Sequence, residues 1–308
     1  MKTPWWFLYK TPLAFILWPI SYVYYAFGRL VYFFRERKQL HSRRKIVCVG
    51  NILAGGVGKT PIVRQIANFL NAPVVMRGYK STDKTCGVGD EAMMLANDGL
   101  LVHTGDRKSN IYLLNQQNEE NGPIVMDDGF QNPSMFKDIS IVVFDEIIGL
   151  GNGFLLPAGP LREPVSGLKR ANAVIVVRKN GKKCAKKFSL PYDIPTFFAD
   201  NKVVIPYSEN QKLIAFAGIG YPKKFFDSLK NVVAKRSFPD HYQYTDNDIN
   251  KLLCLADKKN AKLITTEKDF MRLPEYAREK IKFAKLETTI DKKFFDWLKE
   301  RLDDNIKK

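Results

Sequence analysis

Short apolar runs alternate with amphipathic segments over most of the 308-residue chain. Runs rich in β-branched residues occupy positions 46–49, 74–76, 100–103, 124–126, 139–144 and 173–177, and helical periodicity follows at 58–70 and 90–96. A second alternation of strand and helix patterns begins near residue 212 and runs to a helical pattern at 294–302. Because strands that alternate with helices form βαβ units around a buried parallel sheet, the pattern predicts an α/β fold.

The first 45 residues differ in composition from the rest of the chain. An uncharged, aromatic-rich run covers residues 11–28, with Pro19 inside it, and the segment holds nine basic residues and one acid. It therefore carries +8 of the formal net charge of +17. We expect a helix that lies in a membrane interface, with the basic cluster at 35–45 on acidic headgroups. A buried helix with a solvated basic tail and a spanning helix are the alternatives, and the run is short for the roughly 20 residues of a span.

Charge and cysteine usage exclude some other classes of protein. The positive charge lies beside an apolar helix and no nucleic-acid recognition motif is present, so we expect no nucleic-acid partner. The four cysteines show no C-x-x-C pair and no metal-finger spacing, which is typical of reduced thiols in the cytosol.

The segment VGNILAGGVGKTP, residues 49–61, has most of the features of a phosphate-binding loop. A strand precedes it and a helix follows, which is the context that such a loop requires. Its glycines let backbone N–H groups approach phosphate oxygens, Lys59 would contact the β- and γ-phosphates, and the Thr60 hydroxyl would bind magnesium. Leu53 stands where the usual pattern has its first glycine.

These features predict a P-loop NTPase-like, mostly parallel sheet flanked by helices over residues 41–205. Residues 1–40 would form the membrane-associated helix of that domain, and residues 206–308 a second, smaller α/β domain. Two α/β layers joined in this way would form a cleft, which is a common place for a substrate.

Two pairs of charged residues are candidates for the chemistry beside the loop. Asp127 and Asp128 follow an apolar strand, and acids at the carboxyl end of a parallel strand are well placed to hold Mg²⁺ directly or through water. Arg162 and Glu163 lie in the Pro/Gly-rich segment LPAGPLREP, which suits a positioned active-site element.

Three further residues have both a structural and a chemical interpretation. Asp90 and Glu91 begin a predicted helix, where acids also serve as caps. His241 lies in the turn SFPDHYQYT, and a single histidine there can be structural or catalytic.

Together these segments resemble the tetraacyldisaccharide 4'-kinase family of lipid A biosynthesis. The resemblance covers nearly the whole chain and rests on the aromatic N-terminal helix followed, in order, by VGNILAGGVGKTP, RGYK, VGDEA, GDR, MDDGFQ, LLPAGPLREP, FPDHYQYT and TTEKD. The loop of that family also lacks the first glycine. Val57 and Lys80 depart from its usual residues without removing a functional group.

The resemblance implies transfer of the ATP γ-phosphate to the 4'-hydroxyl of an acylated glucosamine disaccharide 1-phosphate, giving lipid IVA. The reaction would take place at the cytoplasmic face of the bacterial inner membrane, with no obligate protein partner. Asp90 would be the catalytic base, assisted by His241 from the other domain and supported by Glu91. Lys59 and Arg162 would carry transition-state charge.

The resemblance also implies a set of binding residues for ATP and Mg²⁺. The nucleotide-binding positions would be Gly55, Gly56, Val57, Gly58, Lys59, Thr60, Pro61, Gln131 and Tyr79. The magnesium ligands would come from Thr60, Asp127, Asp128 and Glu163. Arg107 would contact this site or the lipid phosphate.

An alternative function is a membrane-associated P-loop ATPase or GTPase switch that acts on a protein partner. It shares the glycine loop and the membrane helix. However, TTEKD has Glu267 where the guanine-reading order [NT]-K-x-D has lysine. A switch also gives no reason for the turn around His241 or for the segment at 162–163.

Overall fold

The computed structural model describes residues 5–55, 58–78, 89–117, 122–179, 189–220, 222–240 and 242–304. The chain divides into two units. The larger unit comprises Pro4–Arg77, Asp98–Asn201 and Thr288–Lys308. The smaller unit comprises Gly78–Asn97 and Lys202–Glu287.

Helices and strands alternate over residues 46–127 and 213–266, as the hydrophobic pattern predicts, whereas strands follow one another without an α-helix between them in the described residues from 124 to 217. In order they are α1 (Pro12–Glu36), β1 (Ile46–Gly50), α2 (Lys59–Leu70), β2 (Val74–Met76), α3 (Asp90–Asn97), β3 (Val102–Thr104), α4 (Arg107–Gln116), β4 (Ile124–Asp127), β5 (Ile139–Asp145), β6 (Ala173–Lys179), β7 (Thr196–Val204), β8 (Leu213–Ala217), α5 (Pro222–Phe226), β9 (Val232–Ser237), α6 (Asp246–Lys259), β10 (Lys262–Thr266), α7 (Glu267–Met271), α8 (Glu275–Arg278), β11 (Lys282–Ile290) and α9 (Lys292–Asp304).

The sheet of the larger unit has the strand order β3-β2-β4-β1-β5-β6-β7, and its neighbouring strands run parallel. β1, β4 and β5 are buried along their whole length, which explains why they are continuous apolar runs in the sequence. β1 lies between β4 and β5, and in an open parallel sheet ligands bind outside the carboxyl ends of such central strands. The predicted parallel α/β core is confirmed.

The strands of the smaller unit follow the order β11-β10-β8-β9 and also pair in parallel. α6 covers one face of this sheet through Ile249, Leu252 and Ala256. Its N-terminus has a capping box, in which Thr245 and Asp248 bond reciprocally.

The observed units differ from the predicted domains in two segments. Residues 78–97 belong to the smaller unit because α3 is tied to the segment around α7 by ion pairs from Glu91 to Lys268 and from Asp90 to Arg272. The C-terminal helix α9 belongs to the larger unit, where its aromatic residues pack against those of β7 and α2. Linear patterning does not reveal such assignments, because the partners are distant in sequence.

Helix α1 begins with a Thr11 side-chain cap and with Pro12 at its first position, both of which favour a helix start. It extends through Pro19 to Glu36, beyond the predicted apolar run, and by length and composition it could cross a membrane. The hydroxyl of Ser21 anchors it to the larger unit by donating to the Leu155 carbonyl at 3.0 Å.

Much of the surface of α1 is apolar and exposed. Its exposed large side chains include Phe15, Ile16, Trp18, Ile20, Tyr22, Val23, Tyr24, Phe27, Leu30, Phe33 and Phe34. Soluble surfaces rarely carry so large a contiguous apolar area, which marks an interaction surface.

Candidate active site

The phosphate-loop segment joins buried β1 to helix α2. Gly55 and Gly58 have φ angles of 122° and 81°, in the left-handed region that favours glycine. Lys59, Thr60 and Pro61 form the first turn of α2, and the preceding Gly58 has no side chain to cap it. The N–H groups of Lys59 and Thr60 can therefore serve an anion, whereas Pro61 has no N–H to donate. Gly56 and Val57 lie outside the described residues.

Leu53, which replaces the first glycine of the usual loop pattern, has a structural role. Its side chain is 1% exposed, and the residue forms an antiparallel bridge with Leu161. On either side of the bridge, Ala54 N donates to Pro160 O at 2.7 Å and Arg162 N donates to Ile52 O at 2.8 Å. The LPAGPLREP segment is thus attached by its backbone to the start of the phosphate loop.

We expect Leu53→Gly, which restores the common loop pattern, to destabilise the protein. Removing a buried leucine side chain costs about 2–5 kcal/mol when alanine replaces it, and glycine adds backbone entropy to that cost. Denaturant unfolding monitored by tryptophan fluorescence measures the change, with exposed Leu101→Gly as the matched control. An unchanged unfolding midpoint for Leu53→Gly would contradict the assigned role.

Three charged side chains meet at the end of β4. Lys59 Nζ lies 3.2 Å from Asp128 Oδ1, and Arg162 Nη1 lies 3.1 Å from both carboxylate oxygens of Asp128. Burial acts to raise the pKa of the Asp128 carboxyl, but the charges of Lys59 and Arg162 outweigh it, and the pKa lies below its ordinary value. Asp128 is therefore a stable anion that holds both cations beside the phosphate loop.

Asn51 is a second contact of the loop lysine. Its side chain is fully buried, accepts from Lys59 Nζ at 3.3 Å and donates to the Leu53 carbonyl at 2.9 Å. Gln131 Nε2 donates to the Asn51 carbonyl at 2.6 Å. These contacts fix the strand-to-loop turn from which the Lys59 side chain is oriented.

Gln131 also connects this turn to Glu163. Its Nε2 lies 2.8 Å from Glu163 Oε1, while the other oxygen of Glu163 accepts from Arg170 Nη2 at 2.5 Å. Arg170 in turn stacks on the ring of Phe130, 4.8 Å from its centroid. The predicted residues Lys59, Arg162, Gln131, Asp128 and Glu163 therefore belong to one connected cluster.

In the smaller unit, Asp90 and Glu91 form the first turn of α3 and bind two cations near α7. Asp90 is 5% exposed and accepts from Arg272 Nε at 2.9 Å and from Arg272 Nη2. Glu91 pairs with Lys268. Acids in a helix first turn are stabilised by the helix dipole, so their position agrees with capping as well as with chemistry.

Comparison with known proteins identifies relatives of the chain over most of its length. The family model for tetraacyldisaccharide-1-P 4'-kinase matches residues 13–303. The chain belongs to this family. It is 36% identical to the tetraacyldisaccharide 4'-kinase of Rickettsia bellii over 85% of this chain and 86% of the relative. It is 39% identical to that of Paramagnetospirillum magneticum over 80% and 81% of the two chains.

A solved structure has the same fold. The crystal structure of an "apo" form of LpxK from Aquifex aeolicus, in complex with ATP, aligns with a TM-score of 0.74. The alignment covers 94% of this chain and 98% of the other, at 24% identity.

The donor types at the loop of this kinase family member fit a magnesium ion. Among the described residues no group of three His, Cys, Asp or Glu side chains is arranged to hold a metal. Mg²⁺ usually takes one or two carboxylates and completes its shell with water and substrate phosphates, so a three-residue cage is not required. Buried Thr60, in the first turn of α2, offers a hydroxyl. Buried Asp127, at the end of β4 beside β1, offers a carboxylate.

Arg107 contacts the backbone of the two acids predicted to bind magnesium. Its Nη2 donates to the backbone carbonyls of Asp127 at 2.8 Å and Asp128 at 3.1 Å, and burial lowers its pKa. Asp128 has a positive φ of 51°, which is uncommon for a residue with a side chain. Arg107 therefore stabilises the acidic turn itself.

The smaller unit contains Asp90 and the described residues on either side of position 241, whereas the prediction placed Asp90 in the P-loop domain. Asp90 belongs to the same unit as Asp240 and Tyr242, the neighbours of His241, because α3 packs against the segment around α7. His241 and Tyr79 themselves lie outside the described residues.

Sequence reasoning missed Asn51, Arg170 and Arg272. Asn51 and Arg170 belong to the cluster around Lys59 and Glu163, and Arg272 contacts Asp90. Asn51 lies inside the quoted loop motif, so its position was a usable signal. Arg170 and Arg272 contact their partners through the tertiary fold, and no local pattern distinguishes them from surface arginines.

Proposed function

We propose that this chain transfers the γ-phosphate of ATP to the 4'-hydroxyl of a tetraacyldisaccharide 1-phosphate. The observation that carries the proposal is the cluster in which Lys59 and Arg162 converge on Asp128 beside the N-terminus of α2. The chain's membership of the tetraacyldisaccharide-1-P 4'-kinase family gives the substrate class. The ATP bound in the Aquifex aeolicus structure supports the choice of nucleotide.

Phosphoryl transfer requires positioning and positive charge on the equatorial oxygens of the moving group. The N–H groups of the first turn of α2 would bind the phosphates, and Lys59 and Arg162 would neutralise the charge that develops on them. Asp128 keeps these two cations in place through its ion pairs. Asn51 and Gln131 hold the turn before the loop, so the lysine is positioned before the substrate binds.

Magnesium, when bound by Thr60, Asp127, Asp128 and Glu163, would supply further charge neutralisation at the phosphates. The substrate's 4'-hydroxyl oxygen would attack the γ-phosphorus while ADP leaves, and Asp90 would accept the hydroxyl proton. His241 and Glu91 would support Asp90 in this role. Tyr79 would line the nucleotide site. These roles follow from the resemblance to the family motifs.

The test is direct transfer of label. Purified protein is incubated with Mg²⁺, γ-labelled ATP and tetraacyldisaccharide 1-phosphate in detergent, and the lipid fraction is separated and counted. A labelled lipid that carries phosphate at the 4' position is expected. ATP hydrolysis without labelled lipid would refute the proposal and favour a switch that acts on a protein.

We further propose that α1 attaches the enzyme to the cytoplasmic face of the inner membrane, where an acylated substrate resides. The exposed apolar residues of α1 would enter the headgroup boundary, and the basic residues at 35–45 would bind anionic lipid. The enzyme would then meet its substrate without extracting it from the bilayer.

Replacing Ile16, Val23 and Phe27 by serine should release the protein from membranes. These side chains are 71%, 71% and 69% exposed, so the fold loses little when they change. We expect at least tenfold weaker sedimentation with anionic vesicles and a matching loss of activity on vesicle-borne substrate, because each buried apolar side chain contributes about 1.5–3 kcal/mol. Activity on detergent-dispersed substrate and the melting temperature should stay the same.

The matched control replaces three exposed apolar residues outside α1, Leu101, Leu113 and Ile147, by serine. Equal loss of vesicle binding in both variants would show a nonspecific effect. Full vesicle binding by the α1 variant would assign membrane attachment to another part of the chain.

A further inference from the structure

The TTEKD motif, residues 265–269, has no part in the phosphate-loop chemistry described so far. In the structure it ends β10 and begins α7, where Thr266 caps the helix by accepting from Asp269 N at 3.2 Å. The Thr266 hydroxyl also donates to Asp269 Oδ2 at 2.6 Å. The motif therefore builds a rigid turn around a fully buried carboxylate.

One buried guanidinium connects this carboxylate to the candidate base. Arg272 binds Asp90 Oδ2 through Nε at 2.9 Å and through Nη2, and binds Asp269 Oδ1 through Nη1 at 3.1 Å. Its side chain is 2% exposed. Arg272 Nη1 also donates to the Gly218 carbonyl at 3.1 Å. The planar guanidinium thus fixes the Asp90 carboxylate against two points of the smaller unit.

Gly218 contacts both Asp269 and a neighbouring segment of the chain. Its N–H donates to Asp269 Oδ1 at 3.0 Å, and the Tyr244 hydroxyl donates to the same oxygen at 3.0 Å. A Cβ at position 218 would lie 2.9 Å from the Pro239 carbonyl and 3.1 Å from Tyr242 Cβ. Pro239 and Tyr242 therefore pack directly on Gly218, whose carbonyl Arg272 binds.

We infer that Arg272 is a positioning residue for phosphate transfer. It sets the carboxylate of Asp90 relative to Gly218, on which Pro239 and Tyr242 pack, with Asp269 as its counter-anion. The inference rests on the proposed function, in which Asp90 accepts the hydroxyl proton. It assigns TTEKD, together with the arginine three residues beyond it, to the alignment of the base.

A purely structural ion pair is the competing explanation, and the two make different predictions. A positioning residue acts through Asp90, so its removal should lower kcat in the parent and have little further effect once Asp90 is already neutral. A structural pair would lower stability and reduce the activity of both backgrounds by similar factors.

The experiment compares Arg272→Met with the parent, and the Asp90→Asn, Arg272→Met double variant with Asp90→Asn. We expect Arg272→Met to lower kcat on the order of 100-fold, as for a misplaced catalytic group, with the KM for ATP within threefold. In the Asp90→Asn background the further loss should be less than threefold. Arg272→Lys, which keeps the charge, should recover part of kcat.

Two controls keep the outcomes distinct. Arg278→Met removes contacts from Arg278 to the carbonyls of Leu273 and Met271, so it weakens the same segment without touching Asp90, and its kcat should stay the same. Arg272→Lys keeps a cation beside both Asp90 and the buried Asp269, so a lowered kcat with an unchanged KM for ATP in this variant tests the inference even if Arg272→Met fails to fold. If the loss of kcat in the double variant equals the product of the two single-variant losses, the inference is overturned. An unchanged kcat for Arg272→Met would also overturn it. A parent that makes no labelled lipid would instead refute the proposed function.

Discussion

Lys59→Met should lower kcat for lipid phosphorylation on the order of 10³-fold, because it removes a cation aimed at charge that develops in the transition state. The variant keeps much of the aliphatic stem, and Asp128 retains its contact with Arg162, so the fold should survive. Initial rates with labelled ATP measure the effect, and circular dichroism and thermal unfolding check the structure.

The matched control is Lys108→Met, since Lys108 Nζ donates to the Lys38 carbonyl at the protein surface. Its rate should equal that of the parent. A Lys59→Met enzyme that retains more than a tenth of parental kcat would exclude the lysine from transition-state stabilisation, and Arg162 would then be the next residue to test.

Asp90→Asn should lower kcat by about 10²- to 10⁴-fold with little change in the KM for ATP, as expected for loss of a general base. Asparagine retains a side-chain oxygen that can accept from both Arg272 donors, so the buried hydrogen bonds persist although residue 90 has lost its charge. Product formation under saturating substrate and nucleotide binding by calorimetry separate loss of chemistry from loss of binding.

Asp227→Asn is the control from the same unit, because Asp227 is a half-exposed acid in a 3.9 Å ion pair with Lys235. It should leave kcat unchanged. If Asp90→Asn also stays within fivefold of the parent, the proton of the hydroxyl is accepted by another group.

The sequence predicted strands β1 to β6 close to their observed positions, but not every strand of the two units. β1, β4 and β5 are buried throughout and therefore appear as unbroken apolar runs. β7 and β11 were missed because each is only partly buried and mixes charged with apolar positions. Such strands have no clear period, since only some of their residues face the core.

The candidate site shows the same division between local and tertiary information. The strand–loop–helix context and the acids at 127–128 were recognised because their chemistry is encoded within a few consecutive residues. Leu53 is an exception within that motif: only its bridge to Leu161 explains why leucine occupies a glycine position.

By itself the sequence determined the parallel α/β core, the phosphate loop and the family to which the chain belongs. The tertiary structure decided that α3 joins the smaller unit and that Arg272 holds Asp90, two residues separated by 182 positions. It also placed Asn51 and Asp128 around Lys59. The physical reason is the sequence separation of the interacting residues. Hydrophobic period and turn chemistry depend on residues close in sequence, whereas buried polar side chains take partners that only the folded chain brings within hydrogen-bond distance.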